Sequence, residues 1–171
     1  MKIENSFTMD DVKSFMDTYV DRERHMLADR LQRISERVSE LGARVKDEPG
    51  DGNQWNAKEI LAHIAVVSKF YGVLVHRVAS GKVADFGLLD QVNLRDVAGK
   101  QMSELPAEQL VRTAREDQAR TVEALRTAEP SALRQTVKID DGSVMSAEDI
   151  ARLPLVSHLE LHLEQLEKAL A

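Results

Sequence analysis

The sequence contains no cysteine among its 171 residues. This absence excludes disulfide bonds, iron–sulfur clusters, thiolate zinc sites and a cysteine nucleophile. A metal ion would therefore have to be bound by histidine, aspartate or glutamate, and a thiol that takes part in a reaction would have to come from a ligand. The absence also fits a reducing compartment, and we expect a cytoplasmic protein.

Glycine, proline and aromatic residues are scarce, with 8 glycines, 4 prolines and 4% aromatic residues. This composition disfavours disorder and loop-rich β-sandwiches. Long hydrophobic runs are also missing, because the apolar stretch at residues 60–67 is far shorter than the roughly 20 residues that span a bilayer. The N-terminal residues lack the apolar core of a signal peptide. We therefore expect no membrane partner.

Basic residues are outnumbered, since 23 lysines and arginines stand against 29 aspartates and glutamates and leave a net charge of -6. A surface with this balance repels polyphosphates, so we expect no nucleic-acid partner. The length fits one domain that covers residues 1–171, and 43% hydrophobic residues are enough for a substantial core.

Helical periodicity dominates residues 8–46. The apolar residues that recur at alternating steps of 4 and 3 are Leu27, Leu31, Ile34, Val38, Leu41 and Val45. No glycine or proline occurs in residues 10–40, and one unbroken helix would be roughly 57 Å long at about 1.5 Å per residue. That exceeds what a small bundle needs. We expect that the helix either breaks between Val20 and Arg24, which makes residues 1–24 a helical extension, or projects and packs on a partner, as in a homodimer.

The rest of the chain predicts three further helices. Asn56 with Glu59, and Ser146 with Asp149, form the pattern of an N-cap and a capping box. Pro154 predicts a kink or a break just before it in the last helix. The expected elements are a loop at 47–53, a second helix at 56–79, a long connection at 81–103 with room for a short helix, a third helix at 107–128, a hairpin at 136–145 and a fourth helix at 146–170. Four main helices with a long connection between the second and third predict an all-α four-helix bundle.

Five histidines provide candidate metal ligands. His158 and His162 are four residues apart in the last helix, so they lie about 40° apart on one face with Cβ atoms about 5–6 Å apart. Two imidazoles so placed can bind one metal ion. His63 points inward from the second helix and is the candidate third ligand, whereas His25 and His76 should face solvent. Such pairs also occur by chance, and an inward histidine is often a plain core residue, so a metal-free structural role stays open.

Four neighbouring features have a functional and a simpler interpretation. Gln165 lies one turn after His162 and is the candidate catalytic residue, because it could contact a bound water or ligand; otherwise it is an exposed polar residue. Glu59 favours helix capping over metal binding. Trp55 favours packing at the end of the bundle over a role in a substrate wall. The Asn93–Arg95 segment of the long connection could approach the cleft.

Two local motifs resemble signatures of the DinB-like family. Residues 55–63 read WNAKEILAH and are similar to the family's helix start with a tryptophan, a glutamate and a histidine at four-residue intervals. Residues 158–165 read HLELHLEQ and are similar to its H-x-x-x-H-x-x-Q pattern in the last helix. The turn at 141–143 and the helix start at 146–149 also resemble the family's approach to that helix. The similarity covers most of the chain from about Leu27 onward.

The resemblance implies an up-down-down-up four-helix bundle with a metal ion bound by His63, His158 and His162. The family includes S-transferases that work with bacillithiol and isomerases that work with mycothiol; the latter carry an additional C-terminal domain, whereas this chain ends at Ala171. We therefore expect a metal-dependent enzyme of stress or detoxification. It would transfer or activate a low-molecular-weight thiol against a small electrophilic substrate, with zinc as the first expected metal and nickel as the second.

Two other functions stay open. Three imidazoles leave open positions on a metal ion, which favours catalysis or small-molecule binding over a structural site. The chain could therefore be a non-catalytic dimeric bundle that binds a metal or a small ligand. It could also be a hydrolase that uses a metal-bound hydroxide. The ligand set does not select the metal, since imidazole suits zinc, nickel, iron and copper.

Overall fold

The computed structural model describes residues 7–83 and 85–171, with the side chains of all these residues except 88–94. Residues 1–6, which belong to the predicted N-terminal extension, lie outside the described part. The helices and strands in chain order are α1 (Met9–Gly42), α2 (Ala57–Ala79), β1 (Asp85–Phe86), α3 (Leu88–Met102), α4 (Ala107–Thr127), α5 (Pro130–Leu133), β2 (Thr136–Ile139), β3 (Val144–Ser146), α6 (Ala147–Ile150), a π-helix (Ala151–Ser157) and α7 (His158–Leu170).

Helix α1 runs without a break over 34 residues. Thr8 and Asp11 form a capping box at its start, and the helix passes through Val20 and Arg24 unbroken. The expected alternative of a break there is therefore wrong, because no residue in the segment lacks a helical hydrogen bond or clashes with the preceding turn. Most side chains before Val20 are exposed, so the first turns of α1 project beyond the core.

Four long helical segments enclose the core. Helix α4 packs against both α1 and α2, and the C-terminal helical run, residues 147–170, also packs against both. Helices α1 and α2 therefore occupy opposite corners, and residues 43–56 cross the end of the bundle between them. This arrangement confirms the predicted all-α fold. Helix α2 approaches α4 closely at Gly72, where a Cβ atom would collide with the hydroxyl of Thr121.

Helix α2 is the most apolar of the described helices and the one that, by length and composition, could cross a membrane, with a mean hydropathy of 1.3 over its best window. Of that window, 61% is buried inside the bundle. Its apolar side chains face α4, α3 and the C-terminal helical run. This burial accounts for the hydropathy, as is typical of a core helix.

The long connection between α2 and α4 contains the predicted helix and an unpredicted strand. Helix α3 has 15 residues and packs on α2. Strand β1 pairs in parallel with β2, and Asp85 lies opposite Lys138. The predicted hairpin is confirmed as β2 and β3, an antiparallel pair whose turn includes Gly142 at φ 83. This small sheet joins the connection to the segment that leads into the last helix.

The C-terminal helical run changes its hydrogen-bonding pattern around Pro154. A capping box at Ser146 and Asp149 starts α6, as predicted. The α-helix ends at Ile150, before Pro154, but the chain continues as a π-helix instead of breaking. Proline has no N–H to donate and its ring collides with the carbonyl one α-helical turn back, and the wider π turn relieves this conflict. Helix α7 resumes at His158.

Candidate metal centre

Helices α2 and α7 bring three histidines together. One ring nitrogen from each of His63, His158 and His162 lies within 4.8 Å of the others. The ring of His63 is 5.5 Å from that of His158 and 4.4 Å from that of His162, between centroids, and the latter two are 4.6 Å apart. His25 and His76 are exposed elsewhere, as expected. The structure thus brings together the three histidines that the sequence singles out.

Two features of the backbone determine where these rings lie. The capping box of Asn56 and Glu59 begins α2, and His63 follows at the second turn. The π-helix ends at Ser157, so that His158 and His162 occupy the first turns of α7. The capping role expected for Glu59 is therefore present, and Glu59 also lines a pocket beside His63.

Hydrogen bonds fix the tautomers of two of the rings. Nδ1 of His162 lies 2.8 Å from the side-chain oxygen Oε1 of Gln165, and Nδ1 of His158 lies 3.2 Å from the backbone oxygen of Pro154. Because both oxygens can only accept, each Nδ1 carries the proton and donates. Each Nε2 therefore keeps a free lone pair. Nε2 of His162 is buried and has no hydrogen-bond partner in the described part of the chain.

The structure gives Gln165 a contact different from the one the sequence suggests. Gln165 is exposed at the surface, and its side-chain oxygen accepts a hydrogen bond from Nδ1 of His162. Hydrogen bonds of this kind orient metal-binding histidines in many proteins. Gln165 is therefore placed to position His162.

Burial lowers the pKa of all three imidazoles. The pKa of His63 falls from its usual 6.5 to about 3, chiefly because burial disfavours the charged ring and secondarily because His162, His158 and Arg95 lie nearby. Burial also lowers the pKa of His158 and of His162. The three rings are therefore neutral near pH 7, which is the form of imidazole that binds metal ions.

These donors fit a divalent metal ion. Nitrogen ligands bound at about 2.0–2.1 Å to one ion can be no more than about 4.2 Å apart. The separation of up to 4.8 Å is slightly larger, so modest ring rotations would complete the site. The unpartnered lone pair of His162 is the group that a metal ion would satisfy.

A pocket of about 310 Å³ opens beside His63, the one member of the histidine cluster among its described lining residues. Trp55 forms part of its wall, with its ring 4.8 Å from that of His63, and 54% of Trp55 is exposed. Trp55 thus contacts the end of the bundle with one part of its ring and also has the wall position that the sequence analysis ranked second, because the segment that crosses the bundle end places it beside the pocket. The remaining lining residues are Glu59, His63, Arg95, Asp96, Gly99, Lys100 and Ser103.

The Asn93–Arg95 segment reaches the pocket through Arg95. Its Nη1 donates a hydrogen bond of 3.1 Å to the hydroxyl of Tyr71, whose ring lies 6.3 Å from that of His158. The side chains of Asn93 and Leu94 lie outside the described residues. The sequence analysis did not single out Tyr71, which lies on the buried face of α2. Its position two turns after His63 on that face was the signal that it lies near the histidines.

Comparisons with known proteins agree with this fold. The family model described as the DinB superfamily matches residues 19–166. A crystal structure of the mycothiol-dependent maleylpyruvate isomerase superposes with a TM-score of 0.66 at 19% identity, over 85% of this chain and 60% of that one. A variant of that enzyme with one histidine replaced by alanine superposes with a TM-score of 0.66 at 18% identity, over the same shares of the two chains. No curated protein matches.

The match to the family model covers most of the sequence, and the chain belongs to the DinB superfamily. It spans 60% of the length of the two solved structures. At this level of identity, the likeness to them concerns the fold.

Proposed function

We propose that His63, His158 and His162 bind a divalent metal ion, with zinc as the first expectation and nickel as the second. We further propose that the protein is a metal-dependent enzyme that activates a low-molecular-weight thiol against a small electrophilic substrate. The observation that carries the proposal is the convergence of three neutral imidazoles from two helices, within 4.8 Å, with His63 also lining an adjacent pocket. Membership of the DinB superfamily supports it.

The residues of the site have different roles in the proposed metal binding and thiol activation. A bound divalent ion supplies Lewis acidity, which holds a coordinating thiol in its deprotonated form. The histidines provide neutral donors, and Gln165 and the oxygen of Pro154 keep two of the rings oriented. Trp55 provides an apolar wall for a small molecule. Because the chain has no cysteine, the thiol comes from the ligand.

The test is elemental analysis followed by a thiol assay. The full chain is purified without nickel resin, its metal content is measured, and monochlorobimane is offered as the electrophile with mycothiol, bacillithiol, glutathione or cysteine. We expect about one ion per chain and faster conjugation with at least one thiol. The variant His63→Ala should lose both properties. The matched control is His76→Ala, which changes an exposed histidine of the same helix.

Two results would contradict the proposal in different ways. Metal binding without acceleration of any thiol would favour the non-catalytic metal-binding bundle. A melting temperature unaffected by chelator, with no ion found, would favour purely structural histidines, because an ion that binds the native state stabilises it.

We also propose that the protein is a homodimer through the projecting start of α1. Apolar side chains are exposed there, including Phe15 at 67% and Tyr19 at 40%. A second copy of this helix would cover them. Sedimentation should give a dimer for the full chain and a monomer for Phe15→Glu with Tyr19→Glu, whereas Lys13→Glu, at an exposed position on the opposite side of the helix, should leave the dimer intact.

A further inference from the structure

A second, larger cavity lies between α2 and α3 and adjoins the pocket beside His63 at Arg95. Its volume is about 800 Å³, within the range that holds a small organic molecule. Its apolar lining residues are Phe70, Val73, Leu74, Phe86, Met102 and Leu105. A cavity of this size and lining suits a molecule with a substantial apolar body.

The polar residues around this cavity are mainly cationic. Lys69, Arg77 and Arg95 line it, and Asp85 is the acid among its described lining residues. None of the three cations forms an ion pair with a carboxylate in the described part of the chain, although the protein as a whole carries a charge of -6. A local excess of positive charge beside apolar walls favours an anionic group on the ligand, since an apolar surrounding strengthens the attraction.

Arg95 is the cation best placed to bind that group. It lines both the α2–α3 cavity and the pocket beside His63. Its Nη1 is held by the hydroxyl of Tyr71 at 3.1 Å, which orients the guanidinium. Its Nε is buried and has no acceptor among the described residues. A buried guanidinium donor without an acceptor is costly, and an anionic oxygen would satisfy it.

We propose that the α2–α3 cavity binds an amphipathic anion, whose apolar body lies among Phe70, Leu74 and Met102 and whose anionic group pairs with Arg95. Lys69 and Arg77 are exposed and add attraction at the rim. Because Arg95 also lines the pocket beside His63, the anionic end of the ligand lies at the edge of that pocket. This binding does not require the proposed thiol activity.

The experiment measures binding of three probes with the same chain length to the full protein by calorimetry. Decanoate is the anion, decanol the neutral analogue and decylamine the cation. We expect decanoate to bind at least about tenfold more tightly than either analogue, the effect of one charge-assisted hydrogen bond. Arg95→Gln should remove this advantage and leave decanol within about twofold, since the apolar walls are unchanged.

Further variants keep the test decisive. Arg112→Gln, at an exposed arginine of α4 outside the cavity, is the charge-matched control and should change nothing. Ala98→Phe fills the cavity and should weaken both decanoate and decanol. If Arg95→Gln does not fold, the double variant Lys69→Gln with Arg77→Gln alters only exposed side chains and should still weaken decanoate selectively.

Three outcomes would overturn the proposal. Decanol that binds as tightly as decanoate would show that charge plays no part. Unchanged decanoate affinity in Arg95→Gln, or in the double variant Lys69→Gln with Arg77→Gln if Arg95→Gln does not fold, would also show that charge plays no part. Loss of decanoate binding in His63→Ala, with binding retained in Arg95→Gln, would place the carboxylate on the histidines. Failure here leaves the metal and thiol assays untouched, because probe binding is measured without thiol.

Discussion

The C-terminal helical run carries polar groups on two faces: those on one face are ion-paired, and those on the other are neutral rings. On the face toward α1, Arg152 lies 2.7 Å from Glu23 and also pairs with Glu148. On the same face, Arg30 of α1 lies 2.6 Å from Glu160. Every one of these ionised groups has a partner of opposite charge.

The face toward α2 carries neutral rings instead. Burial lowers the pKa of His158 and His162, and the buried Nε2 of His162 has no partner in the part of the chain that the structure describes. A folded protein leaves few buried polar atoms unsatisfied, and each one calls for an explanation. The comparison teaches that the paired face holds the bundle together and the unpaired face is available to a ligand. Substitutions on the two faces should therefore separate stability from binding.

The largest effect is expected for His162→Ala. Loss of a direct ligand should lower metal affinity by more than about 100-fold, the upper end of what outer partners contribute. The metal-free protein should unfold at nearly the same denaturant concentration as the parent, because the substitution also removes an unsatisfied buried nitrogen. Elemental analysis and denaturant unfolding measure the two quantities. If His162→Ala retains one ion per chain, the face toward α2 is not the one that binds the metal ion.

Arg152→Ala should have the opposite profile. It leaves the buried carboxylate of Glu148 without its cation and that of Glu23 with only Arg22, at 3.8 Å, which should lower the free energy of unfolding by about 3 kcal/mol. Metal affinity should stay unchanged. Replacing both glutamates by glutamine in the same variant should restore much of the stability, as measured by urea unfolding. A loss of metal binding in Arg152→Ala would show that the two faces are coupled.

Gln165→Ala should weaken metal binding without reaching the effect of a lost ligand. Removal of the acceptor frees the ring of His162 to rotate and exchange tautomers, and metal affinity should fall about tenfold. Gln165→Glu keeps an acceptor and should restore the affinity. Glu164→Ala changes an exposed neighbour and serves as the control. Equal metal affinities in all three variants would show that Gln165 does not position His162.

Acid should destabilise the metal-free protein. The pKa of His63 is about 3 in the folded protein and near 6.5 in the unfolded chain, so the unfolded chain binds more protons between these values. Stability is therefore complete above pH 6.5 and is lost as the pH falls toward 3. The melting temperature of chelated protein, recorded against pH for the parent and for His63→Asn, isolates this contribution. If the melting temperatures of the parent and of His63→Asn fall equally with pH, His63 does not cause the loss of stability.

The smallest effect is expected for Arg30→Ala. The side chains of Arg30 and Glu160 are 26% and 42% exposed, and solvent screens an ion pair at such a position. The free energy of unfolding should fall by less than about 1 kcal/mol, and the difference should shrink further at high salt. Denaturant unfolding at two ionic strengths checks both statements. A loss as large as that of Arg152→Ala would show that exposure does not distinguish the two pairs.

Local patterns in the sequence predicted much of the fold and the proximity of the histidines. The capping boxes at Asn56 and Ser146 depend on residues three positions apart, so their signals survive without tertiary information. The proximity of His158 and His162 follows from helical geometry alone. His63 could be added because the apolar pattern of its helix shows which face points inward.

Features that depend on distant parts of the chain were missed. Strand β1 forms by pairing with residues more than fifty positions later, and two residues carry no periodic signal. The exposure of Trp55 depends on how its segment crosses the end of the bundle. The continuity of α1 remained open because the sequence does not show what surrounds a projecting helix. The contact between Gln165 and His162 depends on the side-chain conformations of both residues, which the sequence does not show.

The π-helix at Pro154 makes the number of residues in that segment as consequential as their identity. Each residue of an α-helix turns the chain by about 100°. If all seven residues Ala151–Ser157 wound as a regular α-helix, the rotational phase of everything downstream would change, because a π turn holds more residues than an α turn. Both imidazoles of α7 would then swing away from α2, although no side chain at the centre had been altered. A change of winding at constant length in this segment should therefore weaken ion binding, whereas deletion of one residue together with the π turn should largely preserve the direction of both rings.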